Sequence, residues 1–163
     1  MEFDLRPITP ADPPFLLELY AGTRAAELAR TGWSDEQKSA FVRSQFDLQQ
    51  RHYQHYFAGA QFLIIDLPQR SGTLPIGRIY WEWRETQLRL IDISILASHR
   101  GRGIGTTLLR ELHARASARG IPLVLSVDRL NPAQTLYRRL GFHELETGED
   151  RSSYMQMAWD PLV

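Results

Sequence analysis

The chain has 163 residues, 43% hydrophobic and 23% charged, which suits one globular domain with one sizeable core. Nineteen basic residues balance nineteen acidic ones, so no electrostatic argument points to nucleic acid or an anionic membrane, and the absence of cysteine excludes a disulfide framework, a thiolate metal site and a cysteine nucleophile. Met1 to Arg6 shows no basic stretch running into an apolar one, and no apolar run approaches membrane-spanning length, so a cytoplasmic protein is expected.

Phe3 to Ile8 alternates and predicts an opening strand. Asp12-Pro13 has the form of an N-cap followed by proline at the first helical position. The helix it opens gathers Phe15, Leu16, Leu19 and Tyr20 on one face, and Gly22 and Gly32 are expected to bracket a break. Ser34-Asp35-Glu36-Gln37 fits a capping box for a second, longer helix. Phe41, Gln45, Leu48, His52 and His55 share its neighbouring faces. The period then becomes that of strands: Phe62 to Ile65, a hairpin turn over Pro68 to Pro75 with Ser71-Gly72, then Ile76 to Trp83 and Leu88 to Leu96. A helix is expected over Ile104 to Arg119, with Ile104, Leu108, Leu112 and Ala116 as its apolar stripe and Gly120 as its stop. Leu123 to Val127 reads as a buried strand. Asn131-Pro132 repeats the cap-then-proline signal for a short helix ending at Gly141, and two strands follow near Phe142 to Glu146 and Tyr154 to Trp159. The order βααβββαβαββ predicts a single α/β domain over residues 1–163, with a mixed, twisted central sheet flanked by helices.

The segment that carries chemistry runs from Ile93, Ser94 and Ile95 through Arg100-Gly101-Arg102-Gly103-Ile104-Gly105-Thr106. An apolar strand ends, a glycine-rich turn follows, and a helix begins. A helix start exposes unpaired backbone N–H groups at the positive end of the dipole. Glycines let those groups approach a phosphate closely. The arrangement is an anion cradle suited to a pyrophosphate. A dinucleotide fingerprint starting at Gly101 would need a glycine where Thr106 stands, and no Gly-Lys-Ser/Thr tripeptide supplies a Walker A loop.

The same residues carry a resemblance. Arg100-Gly101-Arg102-Gly103-Ile104-Gly105 resembles the Arg/Gln-x-x-Gly-x-Gly/Ala signature of the GCN5-related N-acetyltransferase (GNAT) superfamily. Asn131-Pro132-Ala133-Gln134-Thr135-Leu136-Tyr137-Arg138-Arg139-Leu140-Gly141-Phe142 is similar to its second motif, Asn…Ala…Leu-Tyr…Leu-Gly-Phe, with one residue fewer between Asn131 and Tyr137 than the commoner spacing. The resemblance implies a GNAT-like fold and an acetyl-CoA-dependent N-acetyltransferase with no metal. It implies that the pantetheine arm lies along Ile93, Ser94 and Ile95, and that the pyrophosphate sits on backbone N–H groups from Gly101 to Thr106. Arg100 and Asn131 would add further cofactor contacts. It implies direct attack by a primary amine, with backbone N–H groups near Ile95 steadying the thioester oxygen and Tyr137 protonating the departing thiolate. The partner is then a small-molecule or peptide amine, not nucleic acid or membrane, and the fold admits a homodimer. A non-catalytic acyl-CoA-binding sensor on the same fold is the alternative, and it would have no need of an acid at Tyr137.

The base that must deprotonate the amine is less marked. Asp92, on the strand beside the cofactor track, is one candidate, against a reading in which it balances Arg89 or another arginine. Glu82, between Trp81 and Trp83, is a second. The histone-acetylating branch of the family carries a glutamate base near the start of this strand, where Arg89 stands here. The resemblance places acceptor contacts around Tyr20, Arg24 and Glu27. His52 and His55 are too closely spaced for successive helical turns, so no metal site is expected from them. They and His99 read as solvated or packing residues.

Overall fold

The computed structural model describes residues 2–146 and 153–161. The outermost residues of the domain predicted over 1–163, and 147–152 between its last two predicted strands, lie outside the described residues. The elements run β1 (Asp4–Pro7), α1 (Pro13–Leu28), α2 (Asp35–Tyr56), β2 (Gln61–Gln69), β3 (Gly72–Trp83), β4 (Leu88–Ile95), α3 (Ile104–Ala118), β5 (Leu123–Asp128), α4 (Ala133–Arg139), β6 (His143–Glu144) and β7 (Tyr154–Trp159). A short 3-10 turn, Ala97–His99, lies between β4 and α3, where the sequence pattern predicts no element. The described strands form a seven-stranded mixed sheet in the order β1-β2-β3-β4-β5-β7-β6, the α/β class expected.

Backbone contacts group the chain into two compact units, and the division falls inside β3 and β4 rather than at a linker. One unit holds Glu2–Ile79 and Ile93–Arg100. Its core joins Leu16, Tyr20 and Leu28 of α1 to Val42 and Phe46 of α2 and Ile64 of β2. The α2 start is a complete capping box, with Ser34 Oγ accepting from Gln37 N–H and the Gln37 side chain accepting from Ser34 N–H. The α1 start differs from the expectation. Asp12 occupies the cap position, but its carboxylate makes no cap bond. Instead it accepts two hydrogen bonds at 2.8 Å from Arg6 and one at 2.7 Å from Thr9 N–H. Arg6 also reaches Asp66 at 2.6 Å. A bidentate guanidinium is the stronger partner, and it holds Asp12 down at about 2 against the burial that would raise it. Gly22 makes no break either, since α1 runs through it to Leu28. Burial of Leu19, Tyr20 and Leu28 offsets the roughly 1 kcal/mol a helical glycine costs. In α2 the buried residues are Val42, Phe46 and Tyr53, while Leu48 is exposed. The predicted hairpin turn is also narrower, because β2 extends to Gln69 and β3 begins at Gly72.

The other unit holds Tyr80–Asp92 and the described residues from Gly101 onward. Leu108, Leu109, Leu112 and Ala116 of α3 are buried, as are Leu123, Leu125 and Val127 of β5 and Met155 and Met157 of β7. His113 of α3 stacks on Trp159 with ring centres 4.0 Å apart, which places α3 on the Met155, Met157 and Trp159 face of the sheet. The second cap signal shifts by one residue. Pro132 is the cap residue of α4, and Asn131 Oδ1 accepts from Ala133 N–H at 2.9 Å.

Candidate active site

The strand, turn and helix singled out in the sequence are all present. In β4, Ile93, Ser94 and Ile95 are half-buried. Gly77 of β3 fixes the backbone here: a Cβ at that position would overlap the Ser94 carbonyl oxygen and meet Ile95 Cα at 3.2 Å. Only a residue without a side chain permits this approach. A lone glycine inside a strand pattern was the signal that could have found it, and the motifs alone do not include it. Arg100 is exposed and donates from Nε to the Ile95 carbonyl at 2.8 Å, tying the end of the turn to the end of the strand.

The α3 start has the features of an anion cradle. Its cap residue, Gly103, has φ of 83°, a left-handed conformation that other residues enter only with strain. No described side chain caps the helix, and no acidic residue stands in its first turn. Gly101, Arg102 and Gly103 are exposed, Gly105 and Thr106 half-buried. A Cβ on Gly101 or Gly103 would meet nothing within 4 Å, so the space before the helix is open. Ile104 turns its side chain into the core at 2% exposure, and its backbone is held at the first helical position.

The β4–β5 ladder is short. Leu88, Arg89 and Leu90 pair in parallel with Leu123, Val124 and Leu125, and the ladder ends there. Yet β4 continues to Ile95 and β5 to Asp128. Beyond Leu90, β5 supplies β4 with no ladder partner.

Tyr137 lies on α4 with its ring packed 5.7 Å from Phe142 and only 7% exposed. Its hydroxyl makes no hydrogen bond among the described residues. Burial, and secondly the negative charge of Asp92, push the phenol up to about 12. The structure thus brings Asp92 into electrostatic reach of Tyr137. Arg89 is not its partner: Arg89 Nη1 donates to Gln156 Oε1 at 2.9 Å. Asn131 commits its side-chain oxygen to the α4 start.

The remaining candidates are accounted for by packing. Trp81 and Trp83 meet edge to face at 5.8 Å, and the guanidinium groups of Arg115 and Arg119 lie over them at 5.4 and 3.7 Å. Glu82 pairs with Arg84 at 3.4 Å. His52 packs against Tyr56 and Phe57, and His55 against Tyr56. His99 Nδ1 lies 2.8 Å from Ser98 Oγ. Among the described residues, no group of three His, Asp or Glu side chains is placed to hold a metal. No described helix is long and apolar enough to cross a membrane. Arg24 joins Tyr20 OH at 2.7 Å to Glu27 at 2.9 Å and lies 5.2 Å over Phe41, so the three residues expected near the acceptor form one cluster.

The chain belongs to the GNAT acetyltransferase family: the acetyltransferase (GNAT) domain profile matches residues 59–144, more than half of it. Solved structures agree on the fold. The PaiA N-acetyltransferase of Thermoplasma acidophilum, in complex with coenzyme A, superposes with a TM-score of 0.66 at 20% identity, over 98% of this chain and 99% of that one. An acetyltransferase of Thermus thermophilus gives 0.66 at 22% identity, over 98% and 97%. A structure from Corynebacterium glutamicum, described as histone acetyltransferase HPA2 and related acetyltransferase, gives 0.64 at 22%, over 100% and 98%. No curated protein matches the chain in sequence.

Proposed function

We propose that the chain is an N-acetyltransferase that moves the acetyl group of acetyl-CoA to a primary amine by direct attack. The observation that carries this reading is the early end of the β4–β5 ladder, followed within a few residues by the uncapped, glycine-opened start of α3. The first feature leaves β4 without a β5 partner where a pantetheine arm would add as a strand. The second supplies backbone N–H groups and a dipole end for a pyrophosphate. That the neighbouring Thermoplasma structure holds coenzyme A supports the same assignment.

In this mechanism the β4 segment Ile93–Ile95 orients the thioester, and its backbone N–H groups steady the carbonyl oxygen as it gains charge. The neutral amine nitrogen forms a bond to the acetyl carbon. The carbon–sulfur bond breaks, and sulfur leaves with the electron pair. Tyr137 gives that sulfur its hydroxyl proton; burial and Asp92 keep the phenol protonated beforehand. Asp92 accepts the proton lost by the amine through water, and Tyr137 regains its own from solvent.

The test is thermal. Acetyl-CoA at 100 times its Kd should stabilise the protein by about 2.7 kcal/mol, and NAD or ATP should not. Gly103→Val should remove most of that shift. It strains the left-handed cap by about 1–2 kcal/mol or more, and a Cβ there meets nothing within 4 Å; the Tm of the variant without ligand checks that it folds. Stabilisation by NAD or ATP in place of acetyl-CoA would refute the proposal.

A further inference from the structure

Arg89, Ser126 and Gln156 lie on three adjacent strands, β4, β5 and β7, and form a connected polar row. Arg89 Nη1 donates to Gln156 Oε1 at 2.9 Å, and Gln156 Nε2 donates to Ser126 Oγ at 3.0 Å. The register explains the meeting: Arg89 pairs with Val124, Ala158 also pairs with Val124, and Ser126 pairs with Gln156. Strand alternation puts Arg89, Ser126 and Gln156 on one face of the sheet, opposite the Met155, Met157 and Trp159 face that α3 covers.

The charge balance of this row is unusual. Arg89 is half-buried, and among the described residues no acidic side chain pairs with it. Among the described residues its one side-chain hydrogen bond goes to a neutral amide. Asp128, further along the same face of β5, accepts from Leu130 N–H with Oδ1 and makes no bond to Arg89. Burial weakens the proton affinity of Arg89, and the like charge of Arg84 does so further. A buried cation is normally matched by an anion, because desolvation is otherwise uncompensated. Here Nε and Nη2 make no hydrogen bond to the described protein, while Gln156 fixes the guanidinium plane through Nη1. The free edge is the one that binds a carboxylate bidentately. Ser126 is exposed, so the row reaches solvent at its β5 member, while Arg89 and Gln156 are half-buried.

We infer that Arg89, oriented by Gln156 and Ser126, is an anion-recognition site for the carboxylate of the acceptor, so that the amine acetylated belongs to a carboxylate-bearing molecule such as an amino acid or short peptide. The inference deepens the acetyltransferase proposal and rests on it for the word acceptor. Polyamines and other polycations would meet an unneutralised guanidinium and be disfavoured.

The experiment compares α-amino acids with their α-amides and their decarboxylated amines, in two readouts. Calorimetry with coenzyme A present measures binding, and thiol release from acetyl-CoA measures turnover. Short peptides with free and amidated C-termini form a second arm, which distinguishes a free amino acid from a peptide as the source of the carboxylate. At least one carboxylate should bind tenfold or more tightly than its amide and show a correspondingly higher kcat/KM. Arg89→Gln should erase the preference mainly through KM, while acetyl-CoA binding stays unchanged. Gln156→Glu, which places a carboxylate against Arg89 without removing it, should erase it too. This second variant keeps the test decisive if Arg89→Gln folds poorly. Equal binding of acids and amides by the wild type, or a preference that survives both variants, would overturn the inference. Carboxylate binding without any thiol release would sustain the site and defeat the acetyltransferase proposal; turnover indifferent to the carboxylate would do the reverse.

Discussion

Replacing Tyr137 with Phe isolates the phenol. The ring stays packed against Phe142, and the hydroxyl makes no hydrogen bond among the described residues, so the substitution breaks none. Stability should therefore change by no more than about 0.5 kcal/mol, or roughly 1–2 °C in Tm for a chain of this size. In the proposed role the proton is available, since with the phenol at about 12 it is in place in nearly every molecule at neutral pH. Losing a general acid costs roughly 10²–10⁴ in rate, or about 2.7–5.5 kcal/mol of barrier. Single-turnover measurement of thiol release, with an acceptor in excess, isolates the chemical step. The loss should appear in kcat and kcat/KM together, since the proton matters only in the transition state. It should shrink with acyl donors whose thiols leave more easily. The wild-type rate should show no alkaline decline from loss of this proton until pH approaches the phenol value of about 12. Equal single-turnover rates for Tyr137→Phe and wild type would remove Tyr137 from the mechanism and leave it a packing residue.

Gly77→Ala should destabilise by about 1–3 kcal/mol or more, because its Cβ overlaps a backbone oxygen rather than the end of a flexible side chain. By moving Ser94 it should also weaken acetyl-CoA binding, and a variant with wild-type Tm and affinity would refute the close approach. His113 makes the fold sensitive to acid. Burial, then Arg110, lowers the imidazole to about 4 from its ordinary 6.5, and Nε2 is buried with no hydrogen-bond partner among the described residues. The unfolded chain takes the proton more readily, so stability from this group is complete above 6.5 and is lost as pH falls toward 4. Allowing for the ring's partial exposure, the loss should be about 1–2 kcal/mol. His113→Phe keeps the stack on Trp159 and should flatten the Tm profile between pH 6.5 and 5; an unchanged slope would contradict the assignment.

What the sequence made legible was local. The glycine turn before α3 and the tyrosine of α4 each sit in a contiguous motif, and the α2 capping box spans four residues. What it hid depended on partners far along the chain. Asp12 looked like a cap because Arg6 and Asp66, which claim its carboxylate and fix the guanidinium beside it, come from two strands. Gly22 looked like a break because the burial that carries α1 through it involves residues outside the helix. The row of Arg89, Ser126 and Gln156 is invisible as letters, since only the parallel and antiparallel registers of β5 bring the three together. Gly77 did carry a signal, but its partner Ser94 lies on the next strand.

The most direct test of acetyl transfer follows the acetyl group itself. The protein is incubated with acetyl-CoA labelled in the acetyl group and with a mixture of primary amines rich in amino acids, and the products are separated by mass. The account predicts labelled N-acetyl product and free coenzyme A in equal amounts, both abolished by omitting the protein and strongly reduced by Tyr137→Phe. Acetyl-CoA that binds but returns unchanged, or thiol released with no labelled amide, would contradict it and favour a binding domain or a hydrolase on this fold.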